Sequence, residues 1–294
     1  MPGTYLITGA TGSFGNAFTQ FLFDNANPDK IIIYSRDEYK QSLMRERFKS
    51  KPGGPLRFFL GDVRDRHRLG MALNGVDTVI HAAALKRVDA GEYDPIEFIH
   101  TNIGGAERVI ESCIARGVRR CVALSTDKAC SPVNLYGATK LCAEKLFIAA
   151  NSYTGGPPIF SVVRYGNVAG SRGSVIPTWR GLLKDGRRLP ITDVRMTRFW
   201  MTMDEAVRFV WDSLHRPMGE LHIPTIPSFK IVDLALAMGA DSDKITLTGI
   251  RPGEKLHESL VGPDERIPGF GEYRSDTNEK WLSVSDIKKR LEDI

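Results

Sequence analysis

Short apolar runs alternate with helix-like spacing through the first half of the chain. Strands are predicted at residues 5–8, 30–34, 56–60, 78–81, 119–124 and 159–164. Between the later strands, apolar positions at helical spacing predict helices at 66–73, 95–116 and 136–152. Strands that alternate with helices pair in parallel and bind ligands at their carboxyl ends. The pattern therefore predicts an α/β fold built on a doubly wound parallel sheet.

The pattern becomes irregular after residue 166, where helices are predicted only at 203–214 and 231–238. We therefore expect two parts: residues 1–166 as a dinucleotide-binding core that carries the catalytic residues, and residues 167–294 as mainly a substrate-binding lobe, with some segments returning to the core. Arginines in such a lobe can hold a pyrophosphate through paired hydrogen bonds. For any single arginine, a surface salt bridge is an equally good interpretation.

The first predicted strand runs into Gly9, Gly12 and Gly15 and then into an apolar helix that ends near Asn25. This strand, glycine turn and helix are typical of a Rossmann-like dinucleotide site, with the pyrophosphate at the helix N-terminus. The second strand ends at Ser35-Arg36-Asp37, and Lys40 follows one helical turn later. Two cations suit a ribose 2′-phosphate, so the sequence favours NADP over NAD.

A second set of reactive side chains follows the fifth strand. Ser125-Thr126-Asp127-Lys128 is followed by Tyr136 and Lys140, which share a helix face. An ammonium near the phenol is expected to lower the tyrosine pKa from about 10 and to make it a base for alcohol oxidation.

Composition limits the alternatives. The 294 residues carry a net charge of +5 without a basic block, which favours small anionic ligands over nucleic acid. No apolar run approaches the roughly 20 residues of a membrane span, so we expect a cytoplasmic protein. Four cysteines without metal-ligand spacing are predicted to be reduced thiols, and no metal site is expected.

Several segments together resemble the extended short-chain dehydrogenase/reductase family, and within it the inverting UDP-N-acetylglucosamine 4,6-dehydratases of pseudaminic acid synthesis. The resemblance covers nearly the whole chain. The segments that carry it are 8–15, 34–38, 61–65, 81–86, 125–129, 134–140, 164–168, 170–175, 195–200 and 249–257, of which Thr-Asp-Lys and Met-Thr-Arg-Phe-Trp are the most specific.

The resemblance implies an NADP-dependent dehydratase that acts on a nucleotide sugar. Tyr136 would remove the C4 hydroxyl proton, Thr126 would hold that hydroxyl and Lys140 would bind the nicotinamide ribose. Asp127 and Lys128 would then take the C5 proton and protonate the departing C6 hydroxyl, with their order left open. A lysine that acts as a base needs a lowered pKa. The family assembles as oligomers, so a dimer or larger is expected.

The resemblance also implies binding roles at matching positions. The NADP contacts would be Gly9, Thr11, Gly12, Ser13, Phe14, Gly15, Ser35, Arg36, Asp37, Lys40, Asp62, Val63, Ala82, Lys86, Tyr136, Lys140 and Val168. The sugar-nucleotide contacts would be Lys86, Thr126, Asp127, Asn167, Arg172, Val175, Arg251 and Glu254. After Lys86 the chain has Arg87-Val88-Asp89 where the subfamily usually has His-Val-Pro, which changes the charge beside the substrate pocket.

Other functions are compatible with parts of this pattern. A UDP-sugar 4-epimerase would use the threonine, tyrosine and lysine in the same way, but it would leave Asp127 and Lys128 without a chemical role. A dehydratase for another nucleotide sugar, or one that retains the C5 configuration, shares most of the groups. A nucleotide-sensing protein without turnover would not need Tyr136 and Lys140, which are both present.

Overall fold

The computed structural model describes residues 3–49, 54–216 and 219–294. Seven parallel strands form the central sheet in the order β3-β2-β1-β4-β5-β6-β9. Their bounds are β1 Thr4–Thr8, β2 Lys30–Ser35, β3 Leu56–Leu60, β4 Thr78–His81, β5 Arg120–Leu124, β6 Ile159–Val163 and β9 Leu221–His222. The predicted α/β fold with a Rossmann-like, doubly wound parallel sheet is confirmed.

Helices cover both faces of this sheet. They are α1 Ser13–Asn25, α2 Glu38–Arg47, α3 Arg66–Ala72, α4 Val88–Tyr93, α5 Pro95–Phe98, α6 Gly105–Arg116, α7 Leu135–Thr154 and, later in the chain, α9 Met203–Ser213. Helix α9 returns to the sheet and packs on α1, where Trp211 contacts Tyr5 and Phe21. This packing places part of the second half of the chain in the same apolar core as the first strand.

Strand register brings the site together. β1 lies between β2 and β4, and Thr8 is aligned with Tyr34 on one side and His81 on the other. The strand order reverses between β1 and β4, so a crevice opens at their carboxyl ends. The buried Thr8 hydroxyl contacts His81 Nδ1 at 2.9 Å and accepts a hydrogen bond from the Ala83 N–H at 3.2 Å. These contacts fix the loop after β4 against the glycine turn.

The single helix predicted at 95–116 is wrong in detail, because a π-helical turn at Ile99–Gly104 separates α5 from α6. Within this turn, the Asn102 amide makes two hydrogen bonds to the Leu85 backbone and a third to the Thr139 hydroxyl. The wider turn thereby connects the loop after β4 with α7. Apolar periodicity does not distinguish an α-helix from one that contains a single wide turn.

The remaining elements build a smaller unit. They are α8 Val175–Lys184, β7 Leu189–Ile191, β8 Thr197–Phe199, β10 Ser228–Lys230, α10 Ile231–Ala237, β11 Ile245–Leu247, β12 Ser259–Val261, β13 Tyr273–Arg274 and α11 Val284–Glu292. Paired strands β7–β11 and β8–β10 frame a separate apolar cluster that includes Trp179, Trp200 and Phe229. The β12–β13 pair instead packs into the core that contains β1, through Leu260, Val261 and Tyr273. In the described part of the chain, no helix combines the length and apolar character needed to cross a membrane.

Candidate active site

The glycine turn is built for close backbone packing. Gly9 has φ of +64°, and a Cβ atom there would lie 2.8 Å from the Ala83 backbone. A Cβ on Gly15 would lie 2.4 Å from Ala10, so only glycine lets α1 start this close to β1. Gly12 caps α1 without a side-chain hydrogen bond, which leaves first-turn N–H groups for an anion. These features fit the pyrophosphate of a dinucleotide, and Thr11, Ser13 and Phe14 lie in the same turn.

Charged groups gather where β2 and β3 end. Arg36 is exposed and lies 3.7 Å from the Asp62 carboxylate, which is also held by Arg64. Asp37 caps α2 by accepting from the Lys40 backbone N–H, and its carboxylate also pairs with the Lys40 ammonium. Ser35 and Val63 are buried beneath this surface. Arg36 is thus accessible to a ligand immediately after β2, and the choice of NADP over NAD stays a prediction.

A loop of the second half of the chain lies over the glycine turn. The Arg172 N–H donates to the Ser13 hydroxyl at 3.2 Å, and Lys86 Nζ donates to the Arg172 carbonyl at 3.2 Å. Burial, Arg172 and Lys128 lower the pKa of Lys86. The predicted cofactor residue Lys86 and the predicted substrate residue Arg172 are therefore neighbours, although 86 positions separate them in sequence.

The predicted catalytic side chains meet at the carboxyl end of β5. Residues Asp127–Ala129 form a short 3₁₀ turn, and Tyr136 lies in the first turn of α7. The Thr126 hydroxyl donates to Asp127 Oδ1 at 3.0 Å, and Lys128 Nζ donates to the same oxygen at 2.9 Å. The Thr126 hydroxyl and the Lys128 ammonium both act to lower the pKa of the Tyr136 phenol, which places the phenol beside them. The structure thus brings Thr126, Asp127, Lys128 and Tyr136 together in one site.

The expected effect of Lys140 on Tyr136 is wrong for the free protein. Burial raises the pKa of Tyr136 to about 12, while Lys128 and the Thr126 hydrogen bond act to lower it. Lys140 instead donates to the Leu124 carbonyl at 2.6 Å, and burial lowers the pKa of Lys140 to about 8. Helical spacing correctly places both residues on one face of α7, but the ammonium that faces the phenol is that of Lys128.

The sequence analysis missed Glu258, which completes the charged group. Its Oε1 lies 3.3 Å from Lys128 Nζ and 3.8 Å from Arg198 Nε, and the residue is only 2% exposed. Burial opposes the charge on Lys128, but Asp127 and Glu258 outweigh it and raise the pKa of Lys128. The lowered lysine pKa that a resting base needs is therefore absent, and Lys128 is an ammonium in the free protein.

Asp127 differs from its neighbours in its access to solvent. Its side chain has no exposed surface, whereas the Lys128 side chain is 21% exposed. Burial is the largest cause of a raised Asp127 pKa, with Lys128 lowering it and Glu258 raising it. In this conformation Lys128 and Thr126 are the members of the group that a ligand reaches first, and Asp127 acts through them.

The remaining predicted residues lie outside the group formed by Thr126, Asp127, Lys128 and Tyr136. Asn167 and Arg251 are exposed, and Val175 begins α8. Glu254 accepts a hydrogen bond from the Arg251 N–H at 3.4 Å through Oε2, and its Oε1 lies 3.8 Å from Arg198 Nη2. Val168 forms an isolated bridge with Met201, and Ala82 contacts the glycine turn. The 251–255 segment contacts the start of α7, the helix that carries Tyr136, because the Asn134 amide donates to the Gly253 carbonyl at 2.7 Å.

Comparison with known proteins agrees with this geometry. A family model described as "Polysaccharide biosynthesis protein" matches residues 5–270. The chain belongs to this family. It is 55% identical over 264 residues to a UDP-N-acetylglucosamine 4,6-dehydratase (inverting) of Campylobacter jejuni, covering 88% of this chain and 78% of that protein. It is 41% identical to a UDP-glucose 4-epimerase of Rickettsia canadensis, covering 92% of this chain and 81% of that protein.

Solved structures of related proteins share the fold. The structure of Pen from Bacillus thuringiensis superposes with a TM-score of 0.91 at 34% identity and covers 99% of this chain and 98% of its own. A dTDP-glucose 4,6-dehydratase from Streptomyces venezuelae, solved with NAD, superposes with a TM-score of 0.79 at 25% identity and covers 86% of each chain. The fold of this family member is therefore that of nucleotide-sugar dehydratases.

Proposed function

We propose that the chain is an NADP-dependent UDP-N-acetylglucosamine 4,6-dehydratase that inverts C5. The observation that carries the proposal is the Asp127–Lys128 pair, which is hydrogen-bonded at 2.9 Å and lies close enough to Tyr136 for both charges to act on its phenol. An alcohol oxidation needs only the tyrosine and its partners. Elimination of water needs further proton donors and acceptors, which this pair supplies. The 55% identical relative named as an inverting dehydratase supports the same function.

The chain's own residues divide the reaction into an oxidation and an elimination. A bound NADP⁺ would supply the hydride chemistry at C4 and C6, with Lys140 at its nicotinamide ribose. Tyr136 takes the proton of the C4 hydroxyl, which Thr126 orients. The C4 ketone acidifies the C5–H bond. The Asp127–Lys128 pair then receives the C5 proton and gives a proton to the C6 hydroxyl, which leaves as water. When hydride has returned to C6, Lys128 protonates C5 from the opposite face, which inverts C5.

Binding is proposed to follow the crevice between β1 and β4. The glycine turn and the α1 N-terminus would hold the pyrophosphate, with Arg36 and Lys40 at the ribose phosphate. Lys86 and Arg172 lie between this region and the catalytic group, where they suit the anionic sugar nucleotide. Asn167, Val175, Arg251 and Glu254 would complete the sugar-nucleotide side. We also propose two parts, residues 1–166 and mainly 167–294, a cytoplasmic location and a homo-oligomer.

The product would be UDP-2-acetamido-2,6-dideoxy-β-L-arabino-hex-4-ulose. The test is to incubate purified protein with UDP-N-acetylglucosamine and catalytic NADP⁺ in deuterated water, followed by mass spectrometry and NMR. A product that has lost one water and carries deuterium at C5 in the inverted configuration is expected. Retained C5 configuration would contradict the inverting assignment, and an unreacted sugar would contradict the substrate.

A UDP-sugar 4-epimerase is the second candidate, because relatives with that name share 41% identity with the chain. Epimerisation would conserve mass in the same experiment. It would also leave Asp127 and Lys128 without a proton to move, although both act on the phenol. The geometry therefore favours the dehydratase.

A further inference from the structure

Glu258 reaches the catalytic group from a distant part of the chain. It directly precedes β12, and its backbone N–H donates to the buried Ser275 hydroxyl at 2.9 Å. Ser275 is in turn 2.7 Å from the Thr197 hydroxyl at the start of β8. This chain of contacts fixes the Glu258 backbone before any ligand binds. The position of the carboxylate is therefore a property of the fold.

The Glu258 carboxylate is buried but incompletely bonded. Oε1 faces Lys128 and Arg198, whereas Oε2 has no hydrogen-bond partner among the described residues. Asp127 shows the same asymmetry, since its Oδ1 binds Lys128 and Thr126 and its Oδ2 is without a partner in the described chain. Burying such oxygens costs free energy, so a carboxylate kept here without full pairing suggests a role beyond stability.

We propose that Glu258 is a positioning residue that keeps one exchangeable proton on the Asp127–Lys128 pair for the loss of water. This inference rests on the proposed dehydratase function. Glu258 itself does not reach the sugar. Its fixed negative charge acts through Lys128, which it contacts at 3.3 Å.

The proton count of the elimination explains why such a charge is needed. The C5–H and C6–O bonds break, a C5–C6 double bond forms, and water leaves. The Asp127–Lys128 pair gains the C5 proton and loses one proton to the C6 oxygen, so its proton count is unchanged. The pair must therefore hold a proton at the start of the step. A buried lysine without enough negative charge nearby would lose that proton to solvent.

The charged groups around Glu258 act in two directions. The like charge of Asp127 faces it, and Arg198 acts to lower the pKa of Lys128, against the effect of Glu258. Burial opposes ionisation of Glu258, but Lys128, Arg198 and Lys255 outweigh it and lower its pKa, so the carboxylate stays charged. That charge raises the pKa of both Lys128 and Asp127. Tyr136 faces the same ammonium from α7. Glu258 thus increases the proton affinity of both members of the pair.

The first test measures the charge on Lys128 without substrate. Sulfo-N-hydroxysuccinimidyl acetate at pH 8 acylates only the neutral amine, and mass spectrometry gives the Lys128 rate relative to exposed Lys288 in the same protein. Removing one adjacent charge lowers a pKa by about 1–3 units, so Glu258→Gln should react at least about tenfold faster. Glu258→Asp keeps the charge and should stay within about threefold of the unchanged protein. Equal rates in Glu258→Gln and the unchanged protein would overturn the proposal.

The second test measures turnover across pH. Glu258→Gln should lower kcat at least about tenfold at neutral pH with less than a twofold change in KM, and its pH optimum should move to lower pH. Glu258→Asp should restore the optimum, and Glu220→Gln, which removes an exposed carboxylate, should match the unchanged protein. An optimum that does not move in Glu258→Gln would count against the proposal. A wild-type protein that releases no water would contradict the proposed function while leaving the acylation result intact.

Discussion

At the scale of single residues, Tyr136 is the group on which the first step depends. Tyr136→Phe removes the phenolic proton acceptor and should reduce turnover by about 10²–10⁴-fold, the usual contribution of a positioned acid–base group. Reduced cofactor should not form in a single turnover with UDP-N-acetylglucosamine, as followed by absorbance. The matched control is Tyr153→Phe, because Tyr153 is an exposed tyrosine of the same helix. Full activity in Tyr136→Phe would exclude the phenol as the base.

Variants at Lys128 and Asp127 should block the loss of water while leaving the oxidation of C4 possible. In Lys128→Ala and Asp127→Asn the phenol is intact, so hydride should still leave C4 while the hydroxyl stays on C6. Hydride should leave more slowly in Lys128→Ala, because this variant also loses the cation that lowers the phenol pKa. Reduced cofactor should then accumulate to about one equivalent per site, and the product of lower mass should be absent. Lys145→Ala removes an exposed lysine of α7 and serves as the control. Unchanged dehydration in both catalytic variants would show that other groups carry the elimination.

Arg36 carries the prediction of NADP over NAD. Arg36→Ala removes an exposed guanidinium immediately after β2, and loss of a charge-assisted hydrogen bond to phosphate should raise the KM for NADP⁺ by roughly tenfold. The KM for NAD⁺ provides the internal control, since NAD⁺ lacks the 2′-phosphate. An equal increase in KM for NADP⁺ and NAD⁺ would indicate that Arg36 stabilises the site without binding the 2′-phosphate.

At the scale of elements, the junction between α7 and the catalytic 3₁₀ turn has no spare space. A Cβ on Gly137 would lie 2.1 Å from the Lys128 carbonyl oxygen. Gly137→Ala should therefore push α7 away from the turn, lower the free energy of unfolding by about 1–3 kcal/mol and reduce activity at least tenfold. Gly181→Ala in α8 meets no atom within 4 Å and should be neutral or stabilising. Denaturant unfolding and turnover assays measure both variants. Equal stability and activity in Gly137→Ala and Gly181→Ala would refute this packing argument.

The sequence predicts the elements whose pattern is local and misses those whose position depends on distant contacts. Apolar runs and helical spacing locate β1 to β6, α1 and α7, because each pattern arises within one element. The two-residue strand β9 carries too few positions for a pattern, and its place in the sheet depends on pairing with β6. Glu258 was missed for a related reason. It directly follows the recognised 249–257 segment, but its contact with Lys128 depends on long-range packing of β12 beside the catalytic turn.

At the scale of the whole molecule, one buried ion-pair network joins the first and last parts of the chain. Arg164 is 1% exposed and pairs with Glu144 of α7 at 2.6 Å and with Glu265, beyond β12, at 2.7 Å. Arg164 also donates to the Leu260 carbonyl at 2.8 Å. Glu258 lies just before residues 260–265, which Arg164 contacts. The network therefore fixes the segment that places Glu258 beside Lys128. Neither end of the chain builds the complete catalytic group alone.

This connection should appear in the pH dependence of stability. Burial opposes ionisation of Glu265, but Arg164 and the Gly262 N–H outweigh it and lower its pKa to about 2. An unfolded glutamate has a pKa of about 4.3, so the native state binds fewer protons between these values. The contribution of Glu265 is therefore complete above about pH 5 and is lost as pH falls towards 2.

Glu265→Gln should accordingly lower the free energy of unfolding by about 1–3 kcal/mol at pH 7, as measured by denaturant unfolding. The difference from the unchanged protein should shrink steadily below about pH 4, because acid protonates the carboxyl that the variant lacks. Glu272→Gln, which removes a 45% exposed carboxylate 3.7 Å from Arg274, should differ by less than about 1 kcal/mol throughout. A Glu265 effect that does not depend on pH would assign its contribution to packing instead of charge. If the effect follows pH as expected, acid should also weaken the attachment of the segment that carries Glu258, so catalysis should fail before the central sheet unfolds.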